Sequence, residues 1–177
     1  MDKDFANMVK DAFKLAAKIV NNAPDAHDVI QDAATIAISH SGAPKFSDKA
    51  FKPWFYKVVR NKAIDKIRSS QRELNRHDQA SSENIEEHVD TNKTMQDPET
   101  QLLERQRQNN LNAALATISI EHREIILLKD YHDFSYLQIA EILGIAKGSV
   151  MSRLHRARMA LKNALLTPSK EDAHNDS

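Results

Sequence analysis

The chain has no cysteine, and among its 177 residues only 3 are glycine, 5 proline and 1 tryptophan. Without cysteine there is no disulfide framework and no thiolate zinc site. So few glycines and prolines leave little material for tight turns, which favours long helices over a sandwich or barrel. No window approaches the roughly 18 apolar residues that span a bilayer, so no membrane insertion is expected. The start, MDKDFANMVKDAF, mixes acids with bases and has no apolar core segment, unlike a secretory signal. The cytoplasm is the expected location. A net charge of one sign is also missing, since 25 Lys and Arg face 25 Asp and Glu.

What the chain does have is a globular composition, 41% hydrophobic and 28% charged, with its charges segregated. Lys45 to Arg76 holds 10 bases against 3 acids, and His77 to Gln101 holds 1 base against 7 acids. From Lys147 to Lys162 there are 5 bases and no acid. Two basic blocks separated by an acidic one carry information that the zero net charge hides.

Helical spacing marks the elements. Phe5, Met8, Val9, Ala12, Phe13, Ala16, Ile19 and Val20 share a broad apolar face, closed by Pro24. Asp25 reads as the cap of a second helix through Ser39, and SGAP (Ser41 to Pro44) as a turn. A third helix is predicted from about Phe51 to Arg72, with Pro53 in its first turn, where a missing N–H is tolerated. Residues 77–97 read as an acidic linker. Asp97 then caps a helix through about Ile118, and Ser119 caps another with Arg123 to Tyr131 behind it. The expected fold is all-α: two small helical domains (1–76 and 98–167) joined by a flexible acidic linker, with a frayed tail over 168–177.

The segment FSYLQIAEILGIAKGSVMSRLHRARMAL (Phe134 to Leu161) gives the second domain its character. Ser135 caps a helix whose Ile139, Ala140 and Leu143 point inward, and Gly144 supplies the left-handed residue that ends it. A second helix starts near Ala146 or Lys147, which is the helix-turn-helix layout. At about 100° per residue, Val150, Leu154, Ala157 and Leu161 form its core stripe. The opposite face presents Gly148, Ser149, Ser152, His155 and Arg156, flanked by Lys147, Arg153 and Arg158. Small polar side chains with an Arg at the centre suit base edges in a major groove, and the flanking cations suit phosphates. An ordinary solvated helix face would also be basic, but would need neither the preceding helix nor the Gly-containing turn.

In the first basic block, Phe46, Phe51, Trp54, Phe55 and Tyr56 alternate with cations, a composition that suits a nucleic-acid strand with unstacked bases. The competing role for Phe55, Val58 and Val59, and for Trp54, is simply core. On the second helix Asp25, Asp28 and Asp32 lie near His27, a grouping that could serve as a metal pair or an acid/base couple. A protein-docking face would show the same acids. No nucleophile-plus-base arrangement, phosphate-cradling Gly loop or HExxH pattern occurs, so neither catalysis nor a cofactor is expected.

DAHDVIQDAATIA (Asp25 to Ala37) followed by FKPWFYKVVRNKAIDKIRSSQR (Phe51 to Arg72) resembles the core- and promoter-binding domain of bacterial sigma factors. The second half, from DPETQLLERQ through the helix-turn-helix, resembles their −35-reading domain. Together they resemble an extracytoplasmic-function (ECF) sigma factor of the sigma-70 family. The resemblance implies a transcription initiation factor that binds core RNA polymerase and reads promoter DNA, with −35 as duplex and −10 as melted strand. It places Asp28, Gln31 and Asp32 at polymerase docking positions. Lys45, Phe46, Ser47, Asp48 and Lys49 fall in the loop that captures a flipped −10 base, and Trp54, Tyr56, Arg60, Asn61 and Lys62 in the stretch that melts and holds the strand. Ser149, Ser152, His155 and Arg156 fall at −35 readout positions, alongside the phosphate-holding Lys147 and Arg153.

It further implies an acidic linker that imitates RNA near the exit path, and an anti-sigma partner. With no cysteine here, thiol-based redox sensing would reside in that partner. The chain departs from the family at Ile118-Ser119 (usually Leu-Pro), at Met151 (often a cation), at His155, and in the Gly-free loop KFSDK. A stand-alone helix-turn-helix regulator is the alternative, but it gives the acidic helix and the aromatic block no task. A nucleic-acid enzyme would need a metal site or nucleophile that the sequence does not offer.

Overall fold

A computed structural model describes residues 3–76 and 97–167, which form seven helices and no strand. The tail and all of the expected linker except Asp97 lie outside the described residues.

The first unit packs three helices: α1 (Lys3–Val20), α2 (Ala23–Ser39) and α3 (Phe51–Arg76). Alanines 12, 16, 26, 33 and 63 are fully buried, and such small side chains let the helix backbones approach closely. Leu15, Ile19, Phe55 and Val59 fill the remaining volume, each contributing about 1.5–3 kcal/mol through burial. α1 ends where Asn21 takes a φ of 53°, a conformation that Asn tolerates better than most residues. The cap of α2 is not Asp25, as the sequence reading had it. It is Asn22, whose side chain accepts the Asp25 N–H at 2.9 Å. Pro24 therefore opens α2 instead of separating two helices, because the first turn does not need its missing N–H. α3 also runs four residues past the predicted Arg72, through polar residues with good helix propensity.

The second unit comprises α4 (Pro98–Thr117), α5 (Ile120–Ile126), α6 (Tyr136–Leu143) and α7 (Lys147–Leu166). α5 widens over Leu127–Tyr131 into a π-helical turn. Ser119 caps α5 through the His122 N–H. Ser135 and Gln138 form a reciprocal capping box at α6. Gly144, at φ 66°, ends α6 in the left-handed conformation. α7 buries Val150, Leu154 and Ala157 and leaves Leu161 half-buried, as its spacing predicted. The two units are packed together, with α6 against α3 and with α4 and α5 against α1.

Candidate nucleic-acid interface

The helix-turn-helix presents its face as the sequence pattern implied. Lys147, Ser149, Ser152, His155 and Arg156 are exposed on α7, and Arg153 is half-buried. Met151 is 63% exposed on the same helix. Arg158 instead pairs with Asp130, on the turn after α5, which fixes the far edge of the helix to its own unit. The capping box starts α6 and the left-handed Gly144 ends it, so the turn that leads into α7 is locally specified.

On the first unit Asp28, Gln31 and Asp32 are all exposed. Lys66 bridges Asp28 at 3.1 Å and Asp25 at 3.3 Å, and Lys62 lies 3.8 Å from Asp32. The hydrogen bond to Asp28, then that to Asp25, raises the pKa of Lys66. Surface pairs of this kind hold weakly, typically about 0–1 kcal/mol, so a partner's cation can displace them. Among the described residues no cluster of His, Asp and Glu could hold a metal ion.

The loop from Lys45 to Lys49 is a built turn. Asp48 accepts the Lys45 N–H at 3.2 Å and donates its own N–H to the Lys45 carbonyl at 2.8 Å. Phe46 packs edge-on against Phe5 and Phe51, with ring centroids 5.5 and 5.4 Å apart. A cleft of about 590 Å³ opens beside it, and its lining includes Asp4, Met8, Phe46, Lys49, Lys52 and Gln138 of α6. Lys45, Ser47, Asp48, Lys49 and Asn61 are exposed, and Trp54 and Lys62 are half-buried.

Tyr56 and Arg60 are placed differently, in the seam between the units. Tyr56 is fully buried; its ring meets Phe134 edge-on at 4.8 Å, and its hydroxyl lies 3.3 Å from His132 Nδ1. Burial raises the Tyr56 pKa, so the hydroxyl stays protonated. Burial also pulls the His132 pKa down to about 4; Lys52, Lys14 and Lys18 add to this and Asp11 opposes it, leaving a neutral ring. Arg60 donates to both oxygens of Glu124, from Nε at 2.7 Å and from Nη2 at 3.0 Å. Burial raises the Glu124 pKa and the Arg60 hydrogen bonds oppose it; the two short, parallel bonds favour the ionised carboxylate.

Sequence reasoning missed the other side of this seam. Arg123 is 7% exposed and uses all five of its N–H donors. Three bonds go to carbonyls at the end of α4: Leu115 (2.7 Å), Ala116 (2.8 Å) and Ile118 (3.2 Å). Two reach Lys18 and Ile19 at the end of α1, both at 3.2 Å. The guanidinium thus satisfies the orphan carbonyls of two helices from different units. A signal was available, since Arg123-Glu124 stands directly before the apolar run Ile125 to Leu128, where two adjacent charges are brought to the edge of the core.

An all-α chain with a capped helix-turn-helix, a basic outer helix face and a second, aromatic-and-basic helix falls in the class of DNA-binding proteins. Comparison with known proteins sharpens this class. Residues 5–73 match the family Sigma-70 region 2, and residues 101–161 match Sigma-70, region 4. The ECF RNA polymerase sigma factor SigL of Mycobacterium tuberculosis is 32% identical over 154 residues, covering 86% of this chain and 81% of its own. SigW of Bacillus subtilis, another ECF sigma factor, is 26% identical over 164 residues, covering 92% and 87%. The fold is similar to that of the sigma factor RpoE from Bartonella quintana, solved with the anti-sigma factor NepR: the TM-score is 0.73 at 24% identity, over 95% of this chain and 100% of that one. The chain belongs to the ECF sigma factors of the sigma-70 family.

Proposed function

We propose that this chain docks on core RNA polymerase through Asp28, Gln31 and Asp32, reads −35 as duplex with α7, and holds the melted −10 strand. The loop Lys45–Lys49 and Trp54, Tyr56, Arg60, Asn61 and Lys62 make the −10 contacts. The domain division is 1–76, 77–97, 98–167 and a tail over 168–177. Specificity and melting come from binding energy, with no catalytic group, and the work is done in the cytoplasm. An anti-sigma protein is the expected regulator, as in the similar structure solved with the anti-sigma factor NepR. The observation that carries this reading is the exposed face of α7, with Ser149, Ser152, His155 and Arg156 side by side on a capped helix-turn-helix.

The first test mixes the purified chain with sigma-free core polymerase and genomic fragments. A stable complex with promoter-dependent transcripts is expected, and its start sites would supply the −10 and −35 sequences. Sequence-specific duplex binding by the free chain without any such complex would favour the stand-alone regulator. Arg156→Ala should weaken −35 recognition by about 1–3 kcal/mol and leave polymerase affinity intact. Replacing Asp28 and Asp32 together by alanine should do the converse; undiminished affinity for core enzyme would remove the docking face.

A further inference from the structure

One exposed side chain on α7 has no task in the −35 reading proposed above. From Lys147 to Arg156 the exposed side chains are Lys147, Ser149, Met151, Ser152, His155 and Arg156. Met151 is the apolar one among them, and it is 63% exposed. It lies in the second turn of α7, and a recognition helix brings its N-terminal residues to the base edges. Helical spacing puts Lys147 and Gly148 one turn before it and His155 one turn after. Nothing lies within 4 Å of the place a Cβ would take at Gly148. The surface beside Met151 is therefore bare backbone, which a partner can approach closely. Met159 is also exposed, but it stands two turns further along the helix, past Arg156.

A large apolar side chain left in water on a face of hydroxyls and cations calls for an apolar partner. The Met151 thioether carries no charge and no donor, so it can neither hold a phosphate nor select a base by donating to its edge. Among the base edges of the major groove, the apolar group that projects is the C5 methyl of thymine. Methionine suits that target, because its unbranched, polarizable chain can settle on a methyl over a range of positions. An arginine or lysine in its place would seek O6 and N7 of guanine instead.

We infer that Met151 is a specificity-determining residue that packs on the methyl group of a thymine in the −35 duplex. This rests on the −35 reading of α7 and adds a base identity to it: one thymine, on either strand, within reach of the second helical turn. The work on the face is then divided by chemistry. Ser149, Ser152, His155 and Arg156 read hydrogen-bonding edges, Lys147 and Arg153 hold phosphates, and Met151 reads the feature that hydrogen bonds cannot detect.

The test uses the full chain in complex with core polymerase, and duplexes carrying the −35 block of a promoter mapped with that complex. Each thymine of the block, on both strands, is replaced in turn by deoxyuridine, which pairs identically and lacks only the methyl. Competition against the thymine duplex gives relative affinities. One replacement should weaken binding roughly three- to fivefold, the effect of withdrawing one methyl-sized group from apolar contact. Met151→Ala should bind the thymine duplex more weakly by the same factor and be indifferent to deoxyuridine at that position. Met151→Leu should keep most of the sensitivity, and Met159→Ala all of it.

A −35 block without thymine, or a scan in which Met151→Ala changes the response at no position, would overturn the thymine contact. A duplex with the whole −35 block scrambled separates the two levels of the reading. If scrambling weakens binding while the deoxyuridine scan is flat, the thymine contact fails and the −35 reading stands. If scrambling has no effect, both fail.

Discussion

Replacing Arg123 by methionine is expected to destabilise the folded chain by roughly 3–5 kcal/mol, since a hydrogen bond to a charged group contributes about 1.5–3 kcal/mol and five are lost together, far from additively. Methionine keeps much of the volume and removes every donor. Carbonyls of Leu115, Ala116, Ile118, Lys18 and Ile19 would then face one another at two helix ends without a counter-charge. Chemical denaturation monitored by circular dichroism measures the loss. Arg123→Lys should recover only a small part, because one ammonium cannot span carbonyls from α1 and α4 as the planar fork does. Stability unchanged in the methionine variant would mean that these carbonyls reach water, and that the seam is not closed in solution.

The second large effect is expected at Tyr56. Truncation to alanine should cost about 3–5 kcal/mol, the usual range for removing a large buried aromatic ring. The cavity would open against Phe134 and His132 on one side and the core of the first unit on the other. Tyr56→Phe keeps the ring and removes only a 3.3 Å hydrogen bond, so it should cost no more than about 1 kcal/mol. Thermal melts of the two variants separate packing from hydrogen bonding. A small loss in the alanine variant would show that the ring is not enclosed between the units. Phenylalanine also offers a way to test strand binding at this position without the stability penalty.

The sequence made the helices legible because each carries its own period and its own punctuation. Ser135, Gln138 and Gly144 specify the turn of the helix-turn-helix locally, and the stripe Val150, Leu154 and Ala157 specifies which face of α7 is outward. Local rules failed where two signals competed, as at Asn22 and Asp25, both of which are good capping residues. The structure chose the one whose position let Pro24 fall within the first turn. The seam was not legible for a different reason. Tyr56 and Arg60 belong to a block whose composition suits a nucleic-acid strand, and the same ring and guanidinium equally suit a protein surface with an aromatic and a carboxylate. Which partner they meet depends on residues 64 and 76 positions away, Glu124 and His132, and helical periodicity carries no information over that range.

The burial of the Arg60–Glu124 pair also decides how the chain responds to ionic strength. Mobile ions screen exposed charges within about 8–10 Å at physiological concentrations but have little access to a carboxylate that is almost wholly enclosed. Contacts to DNA phosphates behave in the opposite way, since each releases counterions whose return is favoured as salt rises. With the −10 role proposed for Arg60, the same arginine takes part in one nearly salt-indifferent interaction and one salt-sensitive interaction. Concentrated electrolyte therefore leaves the seam pair in place while it weakens contacts to phosphates.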